Sequence, residues 1–149
     1  MVAGTRNNQS VYIVTKYPNT NNLSDKDNIK ILRYADVLLV LAEAYYRLND
    51  ETNALLYLNL LAQKREPAFT GYTSTGAALL EDIITERRKE LAFEGDRFPD
   101  LQRLNRTINR GPQYPAAVQT IEADNPKRIQ PIPQSERDAN PAISQNDGY

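Results

Sequence analysis

The sequence contains no cysteine, which excludes disulfides, thiolate nucleophiles and cysteine-based metal centres together. It contains no histidine either, so the usual general base near neutral pH and the commonest metal ligand are both missing. Lysine plus arginine number 18 against 19 aspartate plus glutamate. No basic block stands out, and the electrostatic footprint of a nucleic-acid binder is absent. The longest unbroken apolar run, Val37–Ala42, falls far short of the roughly 20 residues a membrane-crossing helix needs. On these grounds the chain reads as a non-enzyme. No catalytic residue, cofactor or metal ligand is assigned.

What is present is one domain's worth of chain, 149 residues, long enough to bury about two-thirds of its unfolded surface. The pattern predicts an all-α fold within a single domain, residues 1–149. It divides into a polar lead-in with one short strand (1–28), a helical core (29–105) and an irregular, proline-rich tail (106–149) packed across the helices. The lead-in is rich in Asn, Thr and Ser around the strand-like island Val11–Tyr17, which is too short to form a sheet alone. Ser24 with Asp27 offers a helix cap, and an extended lead-in through Ile29–Leu32 fits equally well.

Residues 33–48 read as a helix with one narrow polar stripe: Arg33, Asp36, Glu43 and Arg47. A surface helix shows a wider polar face, so this one is expected to be packed nearly all round. After a turn at Asn49-Asp50, a second helix runs from Thr52 to Lys64 with Leu55, Leu58, Leu61 and Ala62 inward. The pair fits the tetratricopeptide spacing through Leu38, Leu41, Ala42, Tyr45, Ala54 and Leu58, with Pro67 one residue late. An ordinary helical hairpin fits too. A third helix, from Ala77, is expected to continue through Glu94 and stop at Gly95. Thr75 or Ser74 is its expected cap. On its wheel Leu80, Ile83, Ile84 and Leu91 share a side, while Glu81, Thr85, Arg88 and Lys89 face away.

Arg87 and Glu94 fall inside that apolar arc, and Glu90 lies at its edge. An unpaired buried ion costs several kcal/mol, so partners are expected on the first helix. The reading is a structural charge network of Arg33, Asp36, Glu43, Arg47, Arg87, Glu90, Glu94 and Arg97. Arg87 would pair with Glu43 or Asp36, and Glu90 or Glu94 with Arg33, Arg47 or Arg97. Alternatively, each stripe faces water. A short helix from Pro99 to Asn105 follows.

The loop Glu66–Gly76 carries Phe69 and Tyr72, which stack on a sugar or, the commoner use, tuck the loop down. Six of the nine prolines fall in the last 45 residues, which prevents the tail from being mainly helix or central strand. Residues 128–133 are expected to be extended and Ser135–Asp138 to form one helical turn, with Ile129, Ile132, Ile143 and Tyr149 as fastening points.

Three segments resemble one family: Ile31-Leu-Arg-Tyr-Ala-Asp-Val-Leu-Leu-Val-Leu-Ala-Glu-Ala44, Glu86-Arg-Arg-Lys-Glu-Leu-Ala-Phe-Glu-Gly-Asp-Arg97, and the ending Ile132-Pro…Glu136…Asn140-Pro…Gln145-Asn-Asp-Gly-Tyr149. In order and spacing they are similar to the C-terminal part of SusD/RagB-type outer-membrane nutrient-binding lipoproteins. Two departures are Phe98-Pro99, where two aromatics are usual, and Asp147, where proline is common.

The resemblance implies a mostly helical fold around tetratricopeptide-like pairs. It also implies capture of a glycan, or sometimes a peptide, for a TonB-dependent outer-membrane transporter, from a lipid-anchored position on the cell surface. Members are several times longer and bind sugar mainly through the part preceding this region, so the chain is expected to be a soluble fragment. No ligand-binding residue is carried over, and the matched motifs are scaffold. Two other readings stand beside it. One is an independent tetratricopeptide-like protein–protein interaction adaptor. The other is a hydrolase using Glu90 and Glu94, which is poorly provided for, because neighbouring arginines lower a carboxylate's pKa when a general acid needs it raised.

Overall fold

The computed structural model describes residues 2–17 and 30–149. It opens with a β-hairpin, β1 (Val2–Arg6) and β2 (Gln9–Ile13), paired antiparallel in the register Arg6↔Gln9 to Val2↔Ile13. Asn7 and Asn8 make the turn at φ 51° and 61°. Two successive positive φ values match the twist of a two-residue hairpin, and asparagine tolerates them. The strand island therefore finds its partner just upstream of itself. The expected cap at Ser24 and Asp27 lies outside the described residues. Ile31 and Leu32 are exposed, the chain bending at Ile31, and Arg33 enters the first helix with an extended backbone.

Three helices build the core: α1 (Tyr34–Arg47), α2 (Glu51–Arg65) and α3 (Gly76–Glu90). The fold is mostly helical. Asp50 caps α2 by accepting from the Asn53 backbone N–H at 3.1 Å. Ala42 and Ala54, both fully buried, let α1 and α2 approach closely, and the Tyr45 and Tyr57 rings stack at 5.4 Å across them. Leu39, Leu58, Leu79 and Ile83 are the largest fully buried side chains. Each contributes about 1.5–3 kcal/mol relative to exposure.

Two expectations need correction. First, α1 is not packed nearly all round: Tyr34, Val37 and Val40 are exposed. Among the described residues, α2 and α3 cover only part of its circumference. Second, α3 stops at Glu90, not Glu94. Leu91 is already its C-cap, and the chain turns through Phe93 at φ 67° and Gly95 at φ 95°. Neither expected cap seals the start of α3 either. Thr75 makes no side-chain cap bond, and the Ser74 hydroxyl donates instead to Asp82 at 2.6 Å.

After α3 comes α4 (Arg97–Arg103), two residues earlier than the sequence suggests. The tail holds a two-residue ladder, β3 (Ile108–Asn109) with β4 (Thr120–Ile121), two 3-10 turns and α5 (Gln134–Ala139). Of the four expected fastening points, Ile132 and Ile143 are half-buried, and a polar bond adds to them. Arg128, buried, donates from Nη2 to the Leu101 carbonyl on α4 at 3.0 Å, whereas Ile129 and Tyr149 remain exposed. Tyr149 instead closes the tail on itself, its hydroxyl donating to the Ile129 carbonyl at 3.1 Å.

Candidate functional site

Charged side chains from α1, α3 and α4 gather into two clusters. In the first, Arg87 donates from Nη1 to Asp36 Oδ1 at 2.7 Å and from Nε to Asp100 Oδ2 at 3.0 Å. Arg103 also takes Asp100, from Nε at 2.8 Å, and grips Glu43 with two parallel donors at 2.6 and 2.8 Å. Arg47 reaches the same Glu43 from one turn along α1, at 2.8 Å. The planar guanidinium suits such two-pronged contacts. Burial pushes the Glu43 carboxyl up, but hydrogen bonds from Arg103 and Arg47 outweigh it and hold it below the usual range.

The second cluster lies at the C-terminal end of α3. Arg33 donates to Glu90 Oε1 at 2.6 Å and bridges to Glu94 at 2.8 Å. Arg65, from the end of α2, takes both oxygens of Glu90 at 2.7 and 2.8 Å. Lys16, just past β2, donates to the Glu90 and Ala92 carbonyls at 2.7 and 2.8 Å and pairs with Glu94. The last carbonyls of a helix have no partner within it, and a cation placed there also meets the negative end of the helix dipole. Lys16 thus ties the hairpin to α3. Burial pushes Glu90 up, but bonds from Arg65 and Arg33 hold it below the usual carboxylate range. A carboxylate held ionised in this way lacks the proton a general acid must give.

Of the eight residues expected to form the network, seven enter ion pairs. Arg47 turns to Glu43 on its own helix instead of to α3, because the Glu90 and Glu94 carboxylates lie at the opposite end of α1, beside Arg33. Arg97 makes no ion pair among the described residues. Four members escaped sequence reading: Lys16, Arg65, Asp100 and Arg103. The spacing of Asp100 and Arg103, three apart on a short helix, was their available signal.

The 66–75 loop folds down. Asn59 brackets Tyr72, accepting from its backbone N–H at 2.6 Å and donating to its carbonyl at 3.0 Å. The Phe69 and Tyr72 rings meet edge to face at 4.9 Å. The Tyr72 hydroxyl donates to buried Glu86 at 2.5 Å, and Lys89 pairs with the same carboxylate. Burial and the Glu86 carboxylate push the hydroxyl's pKa above its ordinary value. Beside this contact lies a cavity of about 330 Å³ lined by Arg65, Phe69, Tyr72, Glu86 and Lys89. A smaller one of about 170 Å³ sits over the α3–α4 turn, with Arg88, Phe93 and Arg97 in its lining. Among the described residues no group of three or more Asp or Glu carboxylates gathers as a metal would require.

The sequence profile of the SusD family matches residues 2–149. Two proteins of Formosa agariphila are similar: SusD-like protein P38, 37% identical over 92 residues, and SusD-like protein P2, 38% identical over 95. Each alignment covers 56% of this chain but 18% of the relative. Two crystal structures from Bacteroides vulgatus share the fold. One is a SusD superfamily protein, with a TM-score of 0.79 at 29% identity, covering 99% of this chain and 34% of that one. The other is described as a candidate sugar binding protein, with a TM-score of 0.72 at 32% identity, covering 87% of this chain and 31% of that one. The chain therefore spans about a third of its solved relatives and under a fifth of the curated ones. With the profile matched from end to end and the helices superimposed on two solved relatives, this chain belongs to the SusD family.

Proposed function

We propose that the chain is part of a cell-surface glycan-binding protein that passes its ligand to a TonB-dependent outer-membrane transporter. The observation that carries this reading is the family match across residues 2–149, joined to a sugar binding description of one structural relative. The two charge clusters act as scaffold within it. They lock α1, α3, α4 and the hairpin in one register, and every carboxylate in them is already engaged by a guanidinium or ammonium group.

The parent protein would be lipid-anchored, with this region rigid and the ligand held mainly elsewhere. The test is to purify the tagged parent from its own outer membrane in mild detergent. Co-purification of a β-barrel transporter, together with binding on a glycan array, is the expected result. Recovery from another compartment with no barrel attached would overturn the reading. A second reading, a tetratricopeptide-like adaptor for another protein, is favoured by the open groove between α1 and α2 lined by Tyr34, Leu38, Leu60 and Lys64. Capture of a peptide by the parent in the absence of any barrel would select it.

A further inference from the structure

Eight arginines lie between Arg33 and Arg106. Six of them (Arg33, Arg47, Arg65, Arg87, Arg103 and Arg106) make ion pairs among the described residues. The two that make none, Arg88 and Arg97, line the same cavity. Placing two guanidinium groups together without a paired carboxylate is unfavourable, and here it happens in a stretch whose six other arginines are all paired. Partial burial and the neighbouring Arg88 charge both lower the pKa of Arg97.

The third wall is Phe93. Its φ of 67° lies in the left-handed region, which a bulky side chain rarely occupies and which recurs at ligand clamps. Phe93 is 58% exposed although it borders the cavity. The turn carrying it is held on both sides. Lys16 donates to the Ala92 carbonyl, the Tyr17 hydroxyl to the Phe93 carbonyl at 3.4 Å, and the Glu94 N–H to Leu91 at 3.1 Å. These bonds hold the turn in that conformation, and its effect is to present an aromatic side chain beside two guanidinium groups that make no ion pair among the described residues.

We propose that this cavity is a contact site for one acidic sugar unit, the ring's C–H face lying on Phe93 and its carboxylate held by Arg88 and Arg97. The assignment rests on the glycan-binding reading above and adds the chemical class of sugar. At about 170 Å³, against ~30 Å³ for each water in the liquid, the space suits one sugar unit. Planar guanidinium groups match a carboxylate with paired donors, and a flat aromatic ring gives a pyranose an apolar surface that a peptide carboxylate does not need. One group opposes the anion. Asp96 also lines the cavity and makes no ion pair among the described residues, whereas Asp100 there is already taken by Arg87 and Arg103.

The experiment is calorimetry on the 149-residue chain in 0.15 M salt with three probes: tetragalacturonate, neutral maltotetraose and tetraglutamate. Tetragalacturonate is expected to bind and the other two to bind at least tenfold more weakly. Arg88→Gln, Arg97→Gln and Phe93→Gly should each weaken it tenfold or more. Asp96→Asn should strengthen it, and Arg6→Gln, a cation on the hairpin turn, should leave it unchanged. Glycine at position 93 accepts the left-handed φ, so that variant removes the ring while keeping the fold. Absence of tetragalacturonate binding, or binding indifferent to all three substitutions, overturns the inference. Tetraglutamate binding as tightly overturns the sugar assignment in favour of an acidic protein segment. Binding of neutral glycan by the parent on the array, with no acidic binding here, sinks this inference and leaves the proposed function standing.

Discussion

Arg87 on α3 donates from Nη1 to Asp36 on α1 at 2.7 Å while its Nε faces Asp100 on α4. One guanidinium thus fixes three helices relative to one another. Its side chain is 12% exposed and that of Asp100 only 6%. Removing one partner of a buried pair costs about 3–5 kcal/mol, against about 0–1 for an exposed one. The lower end, about 3 kcal/mol, is expected for Arg87→Met, because Arg103 stays on Asp100. Arg88→Met, one residue on and exposed, should lose under about 1 kcal/mol. Denaturant melts of the two variants decide it, and equal small losses would mean the bridge contributes nothing to register.

Much of this arrangement is accessible to periodicity, and the reason is geometric. Asp36 and Arg87 each sit on a helix of four turns, long enough for a wheel to separate an apolar arc from a charged line. Asp100 and Arg103 sit on α4, seven residues long, where two turns cannot define a face. Glu86 was invisible because the residue that explains it, Tyr72, lies on a loop whose path no local pattern dictates. Val2–Arg6 lacks the alternation of a strand and becomes one by pairing with β2 across Asn7-Asn8. The cavity at Phe93 depends on α3 ending four residues early, and helix ends are the least legible feature of a sequence.

The pH response follows from Glu43 and Glu90. Both have folded pKa values below their ordinary 4.5, burial raising and arginine bonds more than offsetting it. At acid pH the unfolded chain therefore binds more protons than the folded one, so stability rises with pH there. The contribution is complete above about pH 4.5 and is lost as pH falls through the folded values. Melting temperature should drop on acidification below that point, and Glu90→Gln should flatten the drop. An acid limb of unchanged steepness in Glu90→Gln would assign the effect to other groups.

Tyr72→Phe tests whether the loop is anchored by its hydroxyl. The substitution keeps the ring against Phe69 and deletes only the bond to Glu86, a buried carboxylate left with Lys89 alone. Hydrogen bonds to charged groups are worth about 1.5–3 kcal/mol, so a fall of that size in unfolding free energy is expected at unchanged m. A loss under about 0.5 kcal/mol would show that the Asn59 bracket holds the loop by itself.

The tail gives the last test, because its hold on the helices is narrow. Arg128 Nη2 donates to Leu101 on α4, and Gln102 returns a bond to the Arg128 carbonyl at 3.4 Å. Beyond that the tail braces itself: Gln145 both donates to and accepts from the Ile132 backbone, at 3.0 and 2.8 Å. Prolines 126, 131, 133 and 141 fix φ in advance, which lowers the entropy lost on ordering. Truncation after Asn125 removes one buried charge-assisted bond, about 1.5–3 kcal/mol, which for a chain of this size is roughly 3–12 °C in Tm. Arg128→Met keeps the tail and deletes the donor, so it should reproduce most of that loss. If truncation left Tm unchanged, the tail would be a passive extension. If truncation lowered Tm while Arg128→Met did not, the fastening would run through the Gln102 side chain and the Arg128 backbone carbonyl and not through the guanidinium.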